Sequence, residues 1–319
     1  MKEFIRQKAL ELGFDLAGFT DAKPIGHKDA AALENWLHDG CHGEMGYLER
    51  NVEKRLSPAE LLSGAATVIC LAKSYKPEVQ QFSNEQDHLR GRVSNYAIYA
   101  DYHKYLKNKL FQLADVIKTA DERARFKFCV DSVPLLERAL ALRAGLGFIG
   151  KNTMLINPEL GSQLFLAEII TDFEIEPDKP FVTDRDPCGD CDKCIRACPG
   201  GALSAGRRLD ARKCVSYLTI EKRSAMTRGE AAKICNSFFG CDKCVEICPY
   251  EQRAKTKCDP EFTPDRVARY INLDEIMKYS EHDFNVSFSG TALERAGLSK
   301  LKETAGIIKE FKDAKEGGC

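Results

Sequence analysis

Apolar positions in "KYLKNKLFQLADVIKTA" recur with a period near 3.6, placing Leu106, Leu110, Leu113 and Ile117 on one face. That pattern predicts an amphipathic helix. "ATVICLAKSY" (66 to 75) is instead an unbroken apolar and β-branched run, which predicts a buried strand. Around these two, the N-terminal part predicts a helix over about residues 2 to 12, ended by Gly13, then the strand "FDLAGFT". A helix around "DAAALENWLHDG" ends at Gly40. The strand "FKFCV", the helix "PLLERALALRAG" and the strands "NTMLI" and "QLFLAEIIT" follow. Residues 1–180 therefore read as one mixed α/β domain. The Pro- and Asp-rich "EIEPDKPFVTDRDP" (174 to 187) predicts a linker. A cysteine-rich domain over 181–258 and a helical C-terminal segment over 259–319 complete an α+β chain.

Composition narrows the function classes. Hydrophobic residues make up 44% and charged residues 30%, as in ordinary globular proteins. Lysine plus arginine (47) nearly balances aspartate plus glutamate (48), so any polyanion site must be a local patch. The N-terminus alternates charge with apolar residues and does not read as a signal peptide. No run approaches the roughly 18 apolar residues that span a bilayer. A cytoplasmic protein without a membrane partner is expected.

The cysteines change the picture. Ten of the 14 lie between Cys188 and Cys258. In a reducing compartment, that clustering points to metal ligation rather than disulfides. "CGDCDKCIRACPG" supplies Cys188, Cys191, Cys194 and Cys198 followed by Pro199, the C-x2-C-x2-C-x3-C-P run of two-cluster ferredoxins. In such a run the fourth cysteine serves the other cluster. "FGCDKCVEICPY" repeats only the last three positions, Cys241, Cys244 and Cys248, with Phe238 where a first cysteine belongs. Crossed ligation gives Cys188, Cys191, Cys194 and Cys248 to one [4Fe–4S] cluster. Cys198, Cys241 and Cys244 then need a fourth thiolate, and spacing alone leaves Cys214, Cys235 and Cys258 open. Zinc is the competing reading, but a four-cysteine run closed by proline is an unusual zinc pattern.

Two clusters form an electron wire, and the α/β domain should hold its terminus. "GLGFIG" (145 to 150) matches a dinucleotide fingerprint but follows a helix and precedes a strand, the reverse of the required order. Helix termination and a tight turn explain its glycines. Asp131 and Ser132 stand where a strand gives way to a helix, with Pro134 just beyond. Pattern alone favours an N-cap there. An acid facing a cofactor cleft is the alternative.

Taken in order, "HGEMGYLERNVEKRLSPAELL", "DYHKYLKNKL", "VDSVPLLERALALRAGLGFIGKNTMLI", "CVSYLTIEKR" and "FGCDKCVEICP" resemble the epoxyqueuosine reductase family of tRNA queuosine biosynthesis, over about residues 8 to 310. The resemblance implies a corrinoid-binding α/β domain, a ferredoxin-like domain with two [4Fe–4S] clusters and a helical C-terminal part. It implies Cys214 as the remaining ligand, with Cys235 and Cys258 as bystanders, and Asp131 as proton donor. It implies cobalamin contacts from Arg55, Tyr96, Asp101, His103, Asp131, Lys151 and Asn152. "DYHKYL" lacks the glycine of the Asp-x-His-x-x-Gly motif, so base-off cobalamin without a histidine–cobalt bond is expected. Val133 is larger than the small residue usual after V-D-S. Longer members of the family continue into a helical-repeat domain, most of which this chain is expected to lack.

The implied reaction is reduction of the epoxide of epoxyqueuosine at the tRNA wobble position to queuosine. Its electrons pass from an external flavodoxin- or ferredoxin-type donor, or a chemical reductant, through the clusters to cobalamin. A basic patch of Arg207, Arg208, Arg212, Lys213, Lys222 and Arg223, with Ser216 and Thr219 beside it, is expected to meet phosphates of the anticodon stem-loop. A monomer is expected. Two rivals are a reductive dehalogenase-like cobalamin enzyme with a small-molecule substrate, which needs no basic patch, and a non-catalytic electron carrier, which needs no Asp131.

Overall fold

The computed structural model describes residues 1–78, 89–257 and 259–316. Cys258, one of the candidate ligands, lies outside them. Helix α1 (Lys2–Glu11) buries Ile5 and Ala9 and gives way at Gly13, whose φ of 96° suits glycine alone. Strand β1 (Leu16–Asp21), helices α2 (His27–His38) and α3 (Val52–Leu56), and strands β2 (Thr67–Ser74) and β3 (Arg90–Val93) follow. Helix α4 (Tyr102–Lys118) starts where the Asp101 carboxylate accepts the His103 amide, which satisfies one of the helix's free donors. Its predicted stripe of Leu106, Leu110, Leu113 and Ile117 is fully buried. Each such side chain contributes about 1.5–3 kcal/mol.

Strand β4 (Phe126–Cys129), helix α5 (Glu137–Arg143), the short strands β5 (Phe148–Ile149) and β6 (Leu155–Ile156) and the long strand β7 (Leu164–Thr171) complete this part. The main sheet is antiparallel throughout, in the order β1-β2-β7-β4. All eight residues of β2 are buried because both sheet faces are covered. Ile69 and Leu71 join Phe19, Ile169 and the α1 and α4 side chains on one face. Val68, Cys70 and Ala72 meet Leu140 and Ala141 of α5 and the following Ala144 on the other. That two-sided cover explains why β2 reads as an unbroken apolar run.

Two local expectations are corrected. "PLLERALALRAG" becomes helical only at Glu137, and the helix cap is Leu136. Asp131 and Ser132 therefore do not cap it. Within "NTMLI" only Leu155 and Ile156 are strand, because Thr153 turns the chain at a φ of 66°.

The stretch 174–187 has no regular element, yet it is pinned. Ile175 is buried, and Asp178 pairs with Lys2 and Arg6 while accepting the Phe19 amide. Beyond it come α6 (Lys193–Arg196), the hairpin β8 (Leu203–Ser204) and β9 (Arg208–Leu209), α7 (Val215–Ile220), α8 (Arg228–Ile234), β10 (Ser237–Phe239), α9 (Lys243–Glu246) and α10 (Pro249–Arg253). The C-terminal segment adds β11 (Tyr270–Asn272), α11 (Leu273–Lys278), α12 (Glu281–Phe288) and α13 (Gly297–Glu316). A second sheet, β10-β3-β11, takes one strand from each of the three sequence segments. One apolar core runs through all three. Phe238, which replaces the missing cysteine, is a fully buried member of it.

Candidate functional site

Helices α6 and α9 pack together and bring the two cysteine loops side by side. The thiols fall into two neighbourhoods. Burial raises the Cys194 thiol, and Cys188 and Cys248 act on it in the same direction. Burial pushes Cys241 up to about 11, with Cys214 and Cys198 among its charged neighbours. Burial likewise raises Cys244, beside Cys214, Cys241 and Cys198. The structure thus brings Cys198, Cys214, Cys241 and Cys244 together from three segments. Cys191 lies one turn from Cys188, its amide donating to the Cys188 carbonyl at 2.9 Å. Cys235 is exposed at the end of α8, in a left-handed conformation.

Local sequence explains the convergence. Cys214 precedes α7 and Cys248 precedes α10, whose first residue is Pro249. Gly200, after Cys198, runs so close to the other chain segment that an added Cβ would sit 1.7 Å from the Lys213 carbonyl oxygen. Only glycine lets the Cys198 loop lie against the Cys214 turn. No group of three or more His, Cys, Asp or Glu among the described residues is arranged to hold a lone metal ion. Four thiolates converging from separate loops instead suit a polynuclear iron–sulfur cluster, so the donor set fits that cofactor.

The second neighbourhood surrounds Asp131, two residues past β4. Its φ of 51° is the left-handed region, uncommon for a residue with a Cβ. Its amide donates to Glu137 Oε1 at 2.7 Å. Its carboxylate lies 3.4 Å from His103 Nε2, while His103 Nδ1 is 2.8 Å from Asp101 Oδ1. The bond to Asp131 raises the His103 pKa, and the Asp101 bond adds to that against some desolvation. The imidazole stacks on Tyr102, and Tyr102 on Phe165. Burial raises the phenols of Tyr47, Tyr96 and Tyr102, and the Asp131 charge acts on all three. Arg55 Nη2 donates to the Tyr47 carbonyl at 3.2 Å, and its buried Nε has no partner among the described residues. Asp131 itself stays open, its side chain 64% exposed.

Tyr96, Asp101 and His103 therefore stand near Asp131, and Arg55 is tied to Tyr47 beside them. Lys151 and Asn152 are turned elsewhere. Lys151 Nζ donates to the Gly189 carbonyl at 2.7 Å, and the buried Asn152 amide donates to the Cys244 carbonyl at 3.3 Å. Both bind the cysteine loops to the α/β part.

The basic patch is only partly available. Thr219 is fully buried, its hydroxyl donating to the Val215 carbonyl and accepting the Gly240 amide. Its expected RNA contact is corrected: one helical turn separates it from Val215, on the inward face of α7. Arg223 donates to the Ala296 and Arg295 carbonyls, and Lys222 sits near Glu44 and Glu230. Arg207 pairs with Asp186, Arg208 with Asp39, and Arg212 and Lys213 with Asp210. Of these, Arg208, Arg212, Lys213 and Arg223 are exposed, and Arg207, Ser216 and Lys222 are half-buried.

Sequence reasoning missed Tyr47, Tyr102, Glu137 and Glu168. The last carried a signal: a lone carboxylate inside the apolar run "QLFLAEIIT".

Comparison with known proteins agrees with this arrangement. Residues 55–132 match the family model "Epoxyqueuosine reductase QueG, DUF1730", and residues 187–251 match a 4Fe-4S double cluster binding domain. The epoxyqueuosine reductase of Pseudomonas aeruginosa is 37% identical over 94% of this chain and 82% of its own length. That of Cyclobacterium marinum is 36% identical over 96% of both chains. Among solved structures, epoxyqueuosine reductase from Streptococcus thermophilus superposes with a TM-score of 0.86 at 32% identity, covering 97% of this chain and 80% of the other. An epoxyqueuosine reductase crystallised with an epoxyqueuosine-modified tRNA-Tyr stem loop gives 0.87 at 32% identity, covering 96% and 80%. No described helix is long and apolar enough to cross a membrane. This chain belongs to the epoxyqueuosine reductase family.

Proposed function

We propose that this oxidoreductase removes the epoxide oxygen of epoxyqueuosine in tRNA to leave queuosine, with Asp131 as the acid. The reaction consumes two electrons and two protons and releases the oxygen as water. The observation that carries the reading is the binding of the two cysteine loops, through Lys151 and Asn152, to the same α/β part that presents the Asp131 carboxyl. Cys188, Cys191, Cys194 and Cys248 would hold one [4Fe–4S] cluster, and Cys198, Cys214, Cys241 and Cys244 the other. The clusters supply single-electron transfers.

Cobalamin, when bound, supplies strongly reducing two-electron chemistry at cobalt. The unpartnered Nε of Arg55 and the tyrosines around Asp131 fit a broad macrocycle rimmed by amides. Arg55, Tyr96, Asp101 and His103 are the residues that would hold it, base-off. Asp131 presents an exposed carboxyl to the leaving oxygen, where developing alkoxide charge demands a proton. His103, held by Asp101, orients that carboxyl and can return its proton after each turnover.

A splayed wobble nucleoside at the end of an anticodon stem-loop can reach such an open carboxyl. Arg208, Arg212, Lys213 and Ser216 are the members of the patch that would meet the phosphates, Arg223 being exposed but held by the Ala296 and Arg295 carbonyls. A cytoplasmic monomer fed by an external one-electron donor completes the proposal.

The test is anaerobic. Reconstituted protein, reductant and cobalamin are incubated with tRNA carrying epoxyqueuosine, and the nucleosides are quantified by mass spectrometry. A cobalamin-dependent loss of one oxygen from that nucleoside is expected. Unchanged nucleoside, from protein holding both clusters and cobalamin, would overturn the reading.

A further inference from the structure

Beneath the Asp131 turn lies a carboxyl pair to which the mechanism above assigns no part. Glu168 is fully buried at the middle of β7, directly opposite Cys70 of β2 and Cys129 of β4. Neither of its oxygens finds a donor among the described residues. What it does meet is the Glu137 carboxyl, within hydrogen-bond reach. Two carboxylates offer only acceptors, so this contact holds only if a proton sits between them. Glu137 in turn accepts the Asp131 amide at 2.7 Å. That bond fixes a residue whose left-handed backbone is intrinsically unfavourable.

We propose that Glu137 and Glu168 form a proton-sharing dyad that latches the Asp131 turn in its working conformation. With the proton shared, Glu168 orients Glu137, and the free oxygen of Glu137 holds the Asp131 amide. When the shared proton leaves, two adjacent anions repel, Glu137 moves off and the turn relaxes. Asp131, Arg138, Cys70 and Cys129 are the charged or titratable groups facing the pair, with Arg143 on the far side of Cys70. No cation among the described residues hydrogen-bonds to Glu168. Burial first, and the facing Glu137 carboxyl second, raise the Glu168 pKa well above the ordinary range, in the direction that favours the shared proton the contact requires. These are positioning residues. Their role in turnover rests on Asp131 being the acid, but the latch itself does not.

The test reads the latch directly. Hydrogen exchange of the peptide spanning residues 130–136 is followed against pH in the cluster-loaded protein, corrected for intrinsic rates. Wild type is expected to lose protection toward alkaline pH. Glu168→Gln and Glu137→Gln each keep a donor between the side chains and an acceptor for the Asp131 amide. Both should stay protected but lose the alkaline limb. Glu137→Ala should exchange about tenfold faster at every pH and lose a similar factor in kcat, with tRNA affinity and cluster iron unchanged. If Glu137→Ala does not fold, the two Gln variants still decide. A wild-type alkaline limb in Glu168→Gln, or wild-type protection in Glu137→Ala, would overturn the dyad. The expected faster exchange in Glu137→Ala with an unchanged kcat would leave the latch standing and count against Asp131 as the acid.

Discussion

The cysteine loops and the Asp131 turn reach their geometry by opposite routes. Seven of the eight grouped cysteines sit in two short runs, where two- and three-residue gaps on tight turns do most of the positioning. The Asp131 neighbourhood is gathered from the loop holding Tyr47, from α3, from the start of α4, from the turn itself and from the middle of β7. The first depends on local spacing and should fail one thiol at a time. The second depends on tertiary contacts to a strained turn, so its function can fail while the fold survives.

The largest expected effect lies at the turn. Asp131→Asn keeps size and can keep the amide bond to Glu137 but cannot donate a carboxyl proton. Turnover should fall about 10²- to 10⁴-fold, the usual contribution of a general acid. Cluster iron and cobalamin binding, read by absorbance and metal analysis, should not change. Full retained turnover would remove Asp131 from the chemistry.

The cysteine side breaks differently. Cys214→Ala should lose about half of the cluster iron, because one of two clusters loses a ligand. Cys235→Ala should lose none, since Cys235 is exposed and apart from the grouped thiols. Iron and sulfide counts check both, and equal losses would move the fourth ligand.

Legibility in the sequence follows the same divide. The cysteine run, the buried strand β2 and the α4 stripe are local periodicities and were readable. Cys214 came from the family resemblance rather than from spacing, because its approach depends on Gly200 passing the Lys213 carbonyl. The N-cap reading of Asp131 failed for a local reason. Pro134 drives the residue before it out of the helical region, and the helix waits until Glu137. Thr219 was misplaced because a sequence does not show which face of a six-residue helix is turned inward. Glu137 and Glu168 meet only through the fold.

A subtler effect is expected from His103. Its pKa is raised first by the Asp131 bond and then by Asp101. A raised histidine pKa means that the protonated ring stabilises the native state. That contribution is complete below the ordinary value near 6.5 and is lost as pH rises through the raised native value. His103→Gln should abolish this change. Melting temperatures of wild type and variant should therefore converge above neutrality and separate below it, with wild type higher. Parallel curves would mean that the His103–Asp131 contact carries no charge.

The smallest effect concerns RNA, and it sharpens the contrast because the patch is built from paired charges. Asp210 holds Arg212 through two bonds of 2.8 and 3.0 Å and also lies 3.6 Å from Lys213. A phosphate must compete with that carboxylate. Replacing Arg212 and Lys213 by Ala should weaken tRNA binding only a few-fold and lower the salt slope by about 1. Asp210→Asn should do the reverse. It keeps an oxygen for the Arg212 amide, and so the turn before Cys214, while releasing two cations toward phosphate. Binding titrations at several salt concentrations read both. If neither changes the slope, the stem-loop is held elsewhere and these pairs serve only to fix the Cys214 turn.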